Sequence, residues 1–228
     1  MNINICNNDY EIENKIENLL DILFYIKENK NNSLAFRSGC KSGVCGSCAV
    51  VIDGVEKLAC KTIIVKEDIS IKPLKNHTII KDLVVDLDNQ KKFLSKSKAY
   101  LEKRNEHNIT HNEQSIIDIE SNCILCNSCM SACPVYEVNK EFIAPFALAR
   151  TYRYIEDKKE NEIKSKIDAI QEDGVWSCTL CGNCNMVCPS GIDIKGDIEK
   201  LRNKSAQFGY NDPNMTMSFD FGFNPNGF

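Results

Sequence analysis

The sequence predicts an α+β chain in which a small mixed sheet with one helix precedes an all-α unit. Three observations lead there. Up to Pro73, short apolar runs alternate with turn signals, and Asp53-Gly54 between Ala49-Val50-Val51-Ile52 and Val55 is the strongest of them. From about Gln114 the apolar spacing becomes helical. All of the thirteen cysteines except Cys6 fall in tight groups, one in the sheet region and two in the helical region.

Ile3 and Ile5 alternate with polar residues and Asn7-Asn8-Asp9 is a turn signal, so residues 1–14 are expected as a hairpin, with Cys6 a small buried side chain in its first strand. Ile16, Leu19, Leu20, Leu23, Phe24 and Ile26 form an apolar stripe that predicts a helix over 16–29. Next stands Arg37-Ser38-Gly39-Cys40-Lys41-Ser42-Gly43-Val44-Cys45-Gly46-Ser47-Cys48. C-x4-C-x2-C is the spacing with which plant-type ferredoxins hold [2Fe–2S]. That cluster needs a fourth thiolate downstream, and Cys60, after the Asp-Gly hairpin, is the only Cys before Cys123. Gly39, Gly43 and Gly46 let the loop wrap closely and offer backbone N–H groups to sulfur, which raises the potential of an anionic cluster. A phosphate loop is excluded here, because neither G-x4-G-K-[ST] nor G-x-G-x-x-G occurs. Strands are expected again over 62–65 and 69–71, with Pro73 closing a β-grasp ferredoxin domain. Residues 86–114, polar and Lys-rich, are expected as a solvated helix and linker.

In the helical half, Ile116, Ile117 and Ile119 lead into Cys123, Cys126, Cys129, Cys133 and Pro134. Val175-Trp176 lead into Cys178, Cys181, Cys184, Cys188 and Pro189. Each run reads C-x2-C-x2-C-x3-C-P, the bacterial-ferredoxin pattern, and in such pairs the fourth Cys of each run ligates the other run's cluster. The runs are therefore expected side by side, with everything between them a closed excursion. Pro145, suited to a first helical turn, opens a helix through 155; others are expected over 162–170 and 192–201. Zinc takes four ligands in one tetrahedron and has no use for eight Cys in this order. The expected architecture is thus a plant-type [2Fe–2S] domain over 1–98, an all-α domain of bacterial-ferredoxin type with two cubane-type clusters over 99–207, and an extended tail over 208–228 rich in Asn, Gly, Phe and Met.

Composition excludes several other classes. At 43% hydrophobic and 26% charged the chain is an ordinary globular one. A net charge of -4 leaves no basic footprint for nucleic acid. The longest apolar run, Ile22-Leu23-Phe24-Tyr25-Ile26, is too short for a membrane span. The amino terminus shows neither a charged n-region nor an apolar h-region, so no signal peptide is expected. An odd number of clustered Cys argues for reduced, metal-binding thiols rather than a disulfide framework. None of the three His lies in a Cys run, which disfavours a Rieske-type centre.

Local stretches carry a closer likeness. Phe36-Arg37-Ser38-Gly39-Cys40, Cys45-Gly46-Ser47-Cys48, Leu58-Ala59-Cys60-Lys61-Thr62, Asp82-Leu83-Val84-Val85-Asp86, Cys123-Ile124-Leu125-Cys126 and Gly174-Val175-Trp176-Ser177-Cys178-Thr179 resemble the iron–sulfur subunit of succinate dehydrogenase and fumarate reductase, over nearly the whole chain. The resemblance implies that Cys40, Cys45, Cys48 and Cys60 hold [2Fe–2S]. It implies that Cys123, Cys126, Cys129 and the distant Cys188 hold a [4Fe–4S]. Cys133, Cys178 and Cys184 then hold a third cluster, [3Fe–4S] in the common members. It further implies an electron-transfer subunit with no substrate-catalytic site of its own, paired with an FAD-containing flavoprotein and a membrane-anchor or quinone-reactive subunit, and peripheral on the cytoplasmic side of the inner membrane. Lys41, Lys57, Lys61 and Arg37 stand where they offset the charge of the first cluster, or are plain solvated surface.

The chain departs from the family at three places. Cys181 replaces an apolar residue. Facing the vacant corner of a three-iron cubane it makes a second [4Fe–4S] with Cys133, Cys178 and Cys184, which is favoured over [3Fe–4S]; turned away, it leaves three irons. Val138 stands in place of a quinone-binding Trp, and Thr179 in place of a His. Those two changes favour a thiol- or heterodisulfide-linked fumarate reductase as the alternative; a free ferredoxin-like carrier is a separate alternative of a different class.

Overall fold

The structure is a computed structural model that describes residues 1–13 and 16–213. The expected tail lies mostly outside the described residues. β1 (Asn2–Ile5) buries Ile3 and Ile5 and pairs antiparallel with β2 (Asn8–Glu11). The joining turn is Cys6-Asn7, with φ of 49° and 70°. A two-residue hairpin loop needs positive φ at both central positions, so the strand stops at Ile5. Cys6 is therefore a half-buried turn residue lining a surface cleft, and not the strand residue expected.

α1 (Leu19–Asn29) begins where the Asn18 side chain accepts from the Leu20 amide at 2.9 Å. It buries Leu19, Leu20, Ile22, Leu23 and Ile26 in the sheet domain's core. β3 (Ala49–Ile52) and β4 (Val55–Leu58) pair through Asp53-Gly54, whose φ values of 49° and 88° fit the Asp-Gly signal. β5 (Asp68–Lys72) is central: it runs parallel to β1 and antiparallel to β3, giving the order β2-β1-β5-β3-β4. The strand expected over 62–65 shrinks to one antiparallel bridge, Ile63 with Asn18, flanked by the Ile64 amide donating to the Glu17 carbonyl at 2.7 Å. The chain makes a 3-10 turn at Ala59–Lys61, the Cys60 carbonyl accepts from Asn18 Nδ2 at 3.0 Å, and the Thr62 carbonyl accepts from the Leu19 amide. The pairing goes no further because its partner segment turns into α1 at Leu19, where the backbone groups bond within the helix. A small hairpin, β6 (Ile79–Lys81) with β7 (Val84–Val85), follows.

Residues 86–114 are more firmly tied than a solvated linker. α2 (Asn89–Lys96) buries Phe93. The strap after it is fixed by Lys166, fully buried, which donates to the Lys98 and Tyr100 carbonyls and pairs with Glu160 at 2.9 Å. Glu160 also accepts from the Glu102 and Lys103 amides. Burial favours the protonated form of Glu160, but these donors outweigh it and hold the carboxyl at about 2.

α3 (His111–Ser121) starts three residues earlier than its apolar spacing shows, because Thr110 and Glu113 form a capping box. α4 (Ser128–Ser131), α5 (Pro134–Val138), α6 (Pro145–Glu156), α7 (Ile163–Ala169), α8 (Asn183–Met186) and α9 (Ile194–Gln207) complete the unit. α6, opened by Pro145, is the hub: it buries Phe146, Ala147, Leu148 and Ala149 and packs on α2, α3, α4, α7 and α9. Among the described residues no helix is long and apolar enough to cross a membrane. The two units meet where Ser131 of α4 donates to the buried Glu56 of β4 at 2.8 Å and accepts from the Lys75 amide at 2.8 Å.

Candidate metal centres

The first group of thiols sits on the loop between α1 and β3, and the fourth is delivered by the turn after β4. Cys40 and Cys45 are exposed, Cys48 and Cys60 buried. The loop's amides point at sulfur. Ser42 and Val44 donate to Cys40 Sγ at 3.4 and 3.3 Å, Cys40 to Cys45 Sγ at 3.3 Å, and Cys60 to Cys48 Sγ at 3.5 Å. Hydrogen bonds from the Ser42 side chain and amide, then from Cys45 and Val44, lower Cys40 to about 6. Burial instead pushes Cys48 up to about 11. Cys40 and Cys45, and Cys48 and Cys60, thus stand together as soft donors, with N–H groups aimed at the sulfurs of Cys40, Cys45 and Cys48, which suits an anionic cluster. The loop holds this form through Gly43 (φ 82°) and Gly46 (φ 70°). A Cβ on Gly43 would run into the Lys61 stem. Lys61 and Lys57 share a groove with Gly43, and Arg37 lines another with Cys45, so these cations do border the loop. Lys41 lies over the Phe24 ring at 4.5 Å.

The second group crosses between the runs. Cys123, Cys126 and Cys129 of the first run and Cys188 of the second line a single cavity, closed by Ile124, Leu125, Phe146, Ile192 and Ile194. Burial raises Cys123, Cys126 and, furthest, Cys129; the neighbouring sulfur charges add to this, those of Cys126, Cys123, Cys184 and Cys188 in the case of Cys129. Cationic help comes from Arg150 of α6, which bonds the Cys123 carbonyl at 3.5 Å and lowers the Cys123 thiol against its burial. Asn127, buried in the same wall, has neither amide atom paired among the described residues. An orphaned polar group among soft donors and apolar walls fits an anionic sulfur-rich occupant.

The third group comprises Cys133, Cys178, Cys181 and Cys184. Burial raises Cys133, with Cys178 and Cys181 adding to it. Cys184 is pushed up to about 12 by burial and by Cys178, Cys133 and Cys181. Cys181 is exposed yet lies within electrostatic reach of all three partners. The backbone explains why. Leu125 and Leu180 have φ of 53° and 55°, and Asn127 and Gly182 have 64° and 81°, so the two runs follow one path, each turning into a short helix, α4 or α8. Cys181 is carried as Cys126 is. Val138 and Thr179 are both exposed, with no packing duty to account for them.

All twelve cysteines singled out from the sequence are gathered into these groups. Asn127 and Arg150 were missed. Aligning the two runs exposes the first, since Asn127 stands opposite Gly182; a lone cation in Phe146-Ala147-Leu148-Ala149-Arg150 signals the second.

The contact between groups is equally local. Gly46, beside Cys45, abuts the first run: a Cβ there would stand 2.7 Å from Cys126 Cβ and 2.9 Å from its Cα.

Known proteins share this arrangement. Residues 2–92 match the family model for a 2Fe-2S iron–sulfur cluster binding domain, and residues 120–192 match that for a 4Fe-4S dicluster domain. The fumarate reductase iron–sulfur subunit of Mycobacterium tuberculosis is 35% identical over 199 residues, 82% of this chain and 81% of that one. A mitochondrial succinate dehydrogenase iron–sulfur subunit of Arabidopsis thaliana is 34% identical over 198 residues, 82% of this chain and 64% of that one. A chain of the Mycobacterium smegmatis Sdh1 complex superposes with a TM-score of 0.78 at 24% identity, covering 90% of this chain and 91% of that one, and so has the same fold.

Proposed function

The chain belongs to the family of fumarate reductase and succinate dehydrogenase iron–sulfur subunits, and from that premise we propose that it is the electron relay of such a complex, linking an FAD-containing flavoprotein to a quinone or another acceptor through three clusters. The observation that carries this reading is the succession of sulfur groups: Gly46 brings the loop against Cys126, and Cys129 of the second group lies within electrostatic reach of Cys184 of the third. Cys40, Cys45, Cys48 and Cys60 are assigned to [2Fe–2S]; Cys123, Cys126, Cys129 and Cys188 to [4Fe–4S]. The clusters supply the one-electron chemistry. The chain's own residues orient the sulfurs, direct the Ser42, Val44 and Cys60 amides at the loop's anionic end, and exclude water from the middle group through Ile124, Leu125, Phe146 and Ile192.

The third cluster is assigned as a second [4Fe–4S] held by Cys133, Cys178, Cys181 and Cys184, because Cys181 rides the same backbone as Cys126. EPR of anaerobically purified protein tests it: the expected spectrum has no stoichiometric oxidised three-iron signal, and one that persists after ferrous iron and reductant are added ends the assignment. Anaerobic co-purification tests the complex, with a flavoprotein and an anchor subunit expected to stay bound and to seat the chain on the cytoplasmic side of a membrane. Recovery as a lone monomer supports a free carrier instead. The exposed Val138 and Thr179, in place of the family's quinone-site Trp and His, favour a second reading in which thiols replace quinone. Reduction by a dithiol donor but not by a quinol is the result that selects it.

A further inference from the structure

The two runs share a backbone but differ in one side chain beside the sulfurs. Asn127 and Gly182 hold the same left-handed position after the second Cys of their runs, with φ of 64° and 81°. Such a φ favours glycine and tolerates asparagine, so either residue satisfies the turn. Only Asn127 brings a polar group. It is 1% exposed, it lines the cavity of Cys123, Cys126, Cys129 and Cys188, and neither Oδ1 nor Nδ2 has a hydrogen-bond partner among the described residues. A buried primary amide left unpaired is costly and calls for a partner. Those sulfurs are acceptors, which selects Nδ2 as the atom facing them.

We propose that Asn127 donates its side-chain N–H to a sulfur of the cluster in this cavity and thereby sets the potential of that cluster above what the bare fold would give. This rests on the assignment of a [4Fe–4S] to Cys123, Cys126, Cys129 and Cys188. The reduced cluster carries one more negative charge than the oxidised one and accepts a stronger hydrogen bond. The donor therefore favours the reduced form. Gly182 supplies no such donor at the third group, so one amide biases how an electron divides between the two clusters. The chain itself provides a conservative replacement, since glycine already serves at the twin position.

The test uses the full chain, loaded anaerobically with iron and sulfide, in a redox titration followed by EPR; the wave of this cavity is the one lost in Cys129→Ala. In Asn127→Gly the reduced-to-oxidised ratio at a fixed potential is expected to fall about tenfold, about 59 mV for a one-electron couple, while the two-iron wave and the wave of the third group, the other wave of the helical unit, do not move. The reciprocal Gly182→Asn is expected to raise the ratio in that other wave. A measurement free of any variant's folding is pulsed EPR of the reduced wild-type chain labelled with nitrogen-15 asparagine, in which an asparagine nitrogen coupling to the cluster is expected. An Asn127→Gly chain that keeps its four-iron signal with the wave unmoved overturns the proposal, as does a labelled wild-type chain without the coupling. A wild-type chain with no four-iron signal dependent on Cys129 overturns the ligand assignment beneath it, and is distinguishable because no wave is then present to move.

Discussion

The sulfur loop of the sheet domain and the sulfur cavity of the helical unit solve one electrostatic problem in opposite ways. In the loop, Cys40 is exposed and its charge is met by the Ser42 side chain and amide, then by Cys45 and the Val44 amide, which lower the thiol to about 6. In the helical unit, Cys129 and Cys184 are buried, and burial raises both, Cys184 to about 12. A loop tip can turn several N–H groups outward onto one sulfur because its glycines adopt positive φ. A sulfur packed against α6 keeps water out but must have its charge cancelled by iron. The difference teaches that Cys40, at the loop tip, is prepared for charge before metal arrives, whereas the buried Cys129 and Cys184 are prepared only with it.

The sharpest way to break this division is to remove one sulfur from each region. Cys60→Ala is expected to abolish the two-iron EPR signal and leave the iron of the helical unit in place. Cys188→Ala, in the second run, is expected to abolish the cluster of the first run; a first-run signal unchanged in that variant refutes the crossed cavity.

A pH series comes next in size. Thiols raised by burial are protonated at neutral pH, so iron must displace protons and loading improves as pH rises toward their own values. Between pH 7 and 8 the apparent iron affinity of the helical groups should gain about tenfold for each proton displaced. The gain in the loop should be shallower, because Cys40, at about 6, is largely ionised already and has no proton to give up. Reconstitution followed by iron content and visible absorbance checks this, and equal slopes in the two regions contradict the contrast.

A smaller effect probes the seam between the regions. Gly46→Ala combines a left-handed φ with a Cβ 2.7 Å from Cys126, and should cost about 1–3 kcal/mol and slow electron transfer between loop and cavity. Gly54→Ala carries the φ penalty alone, since nothing lies within 4 Å of its Cβ, and should cost about 1 kcal/mol. The difference between their denaturation midpoints measures the contact with Cys126; equal losses would remove the seam as a structural requirement.

Much of the fold was legible because its signals are short. Asp53-Gly54 specifies a two-residue turn, Pro145 opens a helix, and each Cys run specifies its own loop. The expected strand over 62–65 shrank to a single bridge because its partner, residues 17–18, turns into α1 at Leu19, which apolar alternation does not show. The strap after α2 looked solvated because Lys166 and Glu160 find each other, and the Lys98 and Tyr100 carbonyls, only in three dimensions. The capping box at Thr110 and Glu113 was readable and sets the start of α3 better than apolar spacing does.

By itself, the sequence determined that a sheet domain precedes a helical one and that the cysteines fall into three spaced runs, since spacing over a few residues dictates loop shape. Only the tertiary structure decided that Gly46 meets Cys126, that Ser131 closes on Glu56, and that the Asn127 amide is buried without a partner among the described residues. Those facts depend on residues far apart in the chain being brought together, and no local pattern encodes the water they lose or the contacts they gain.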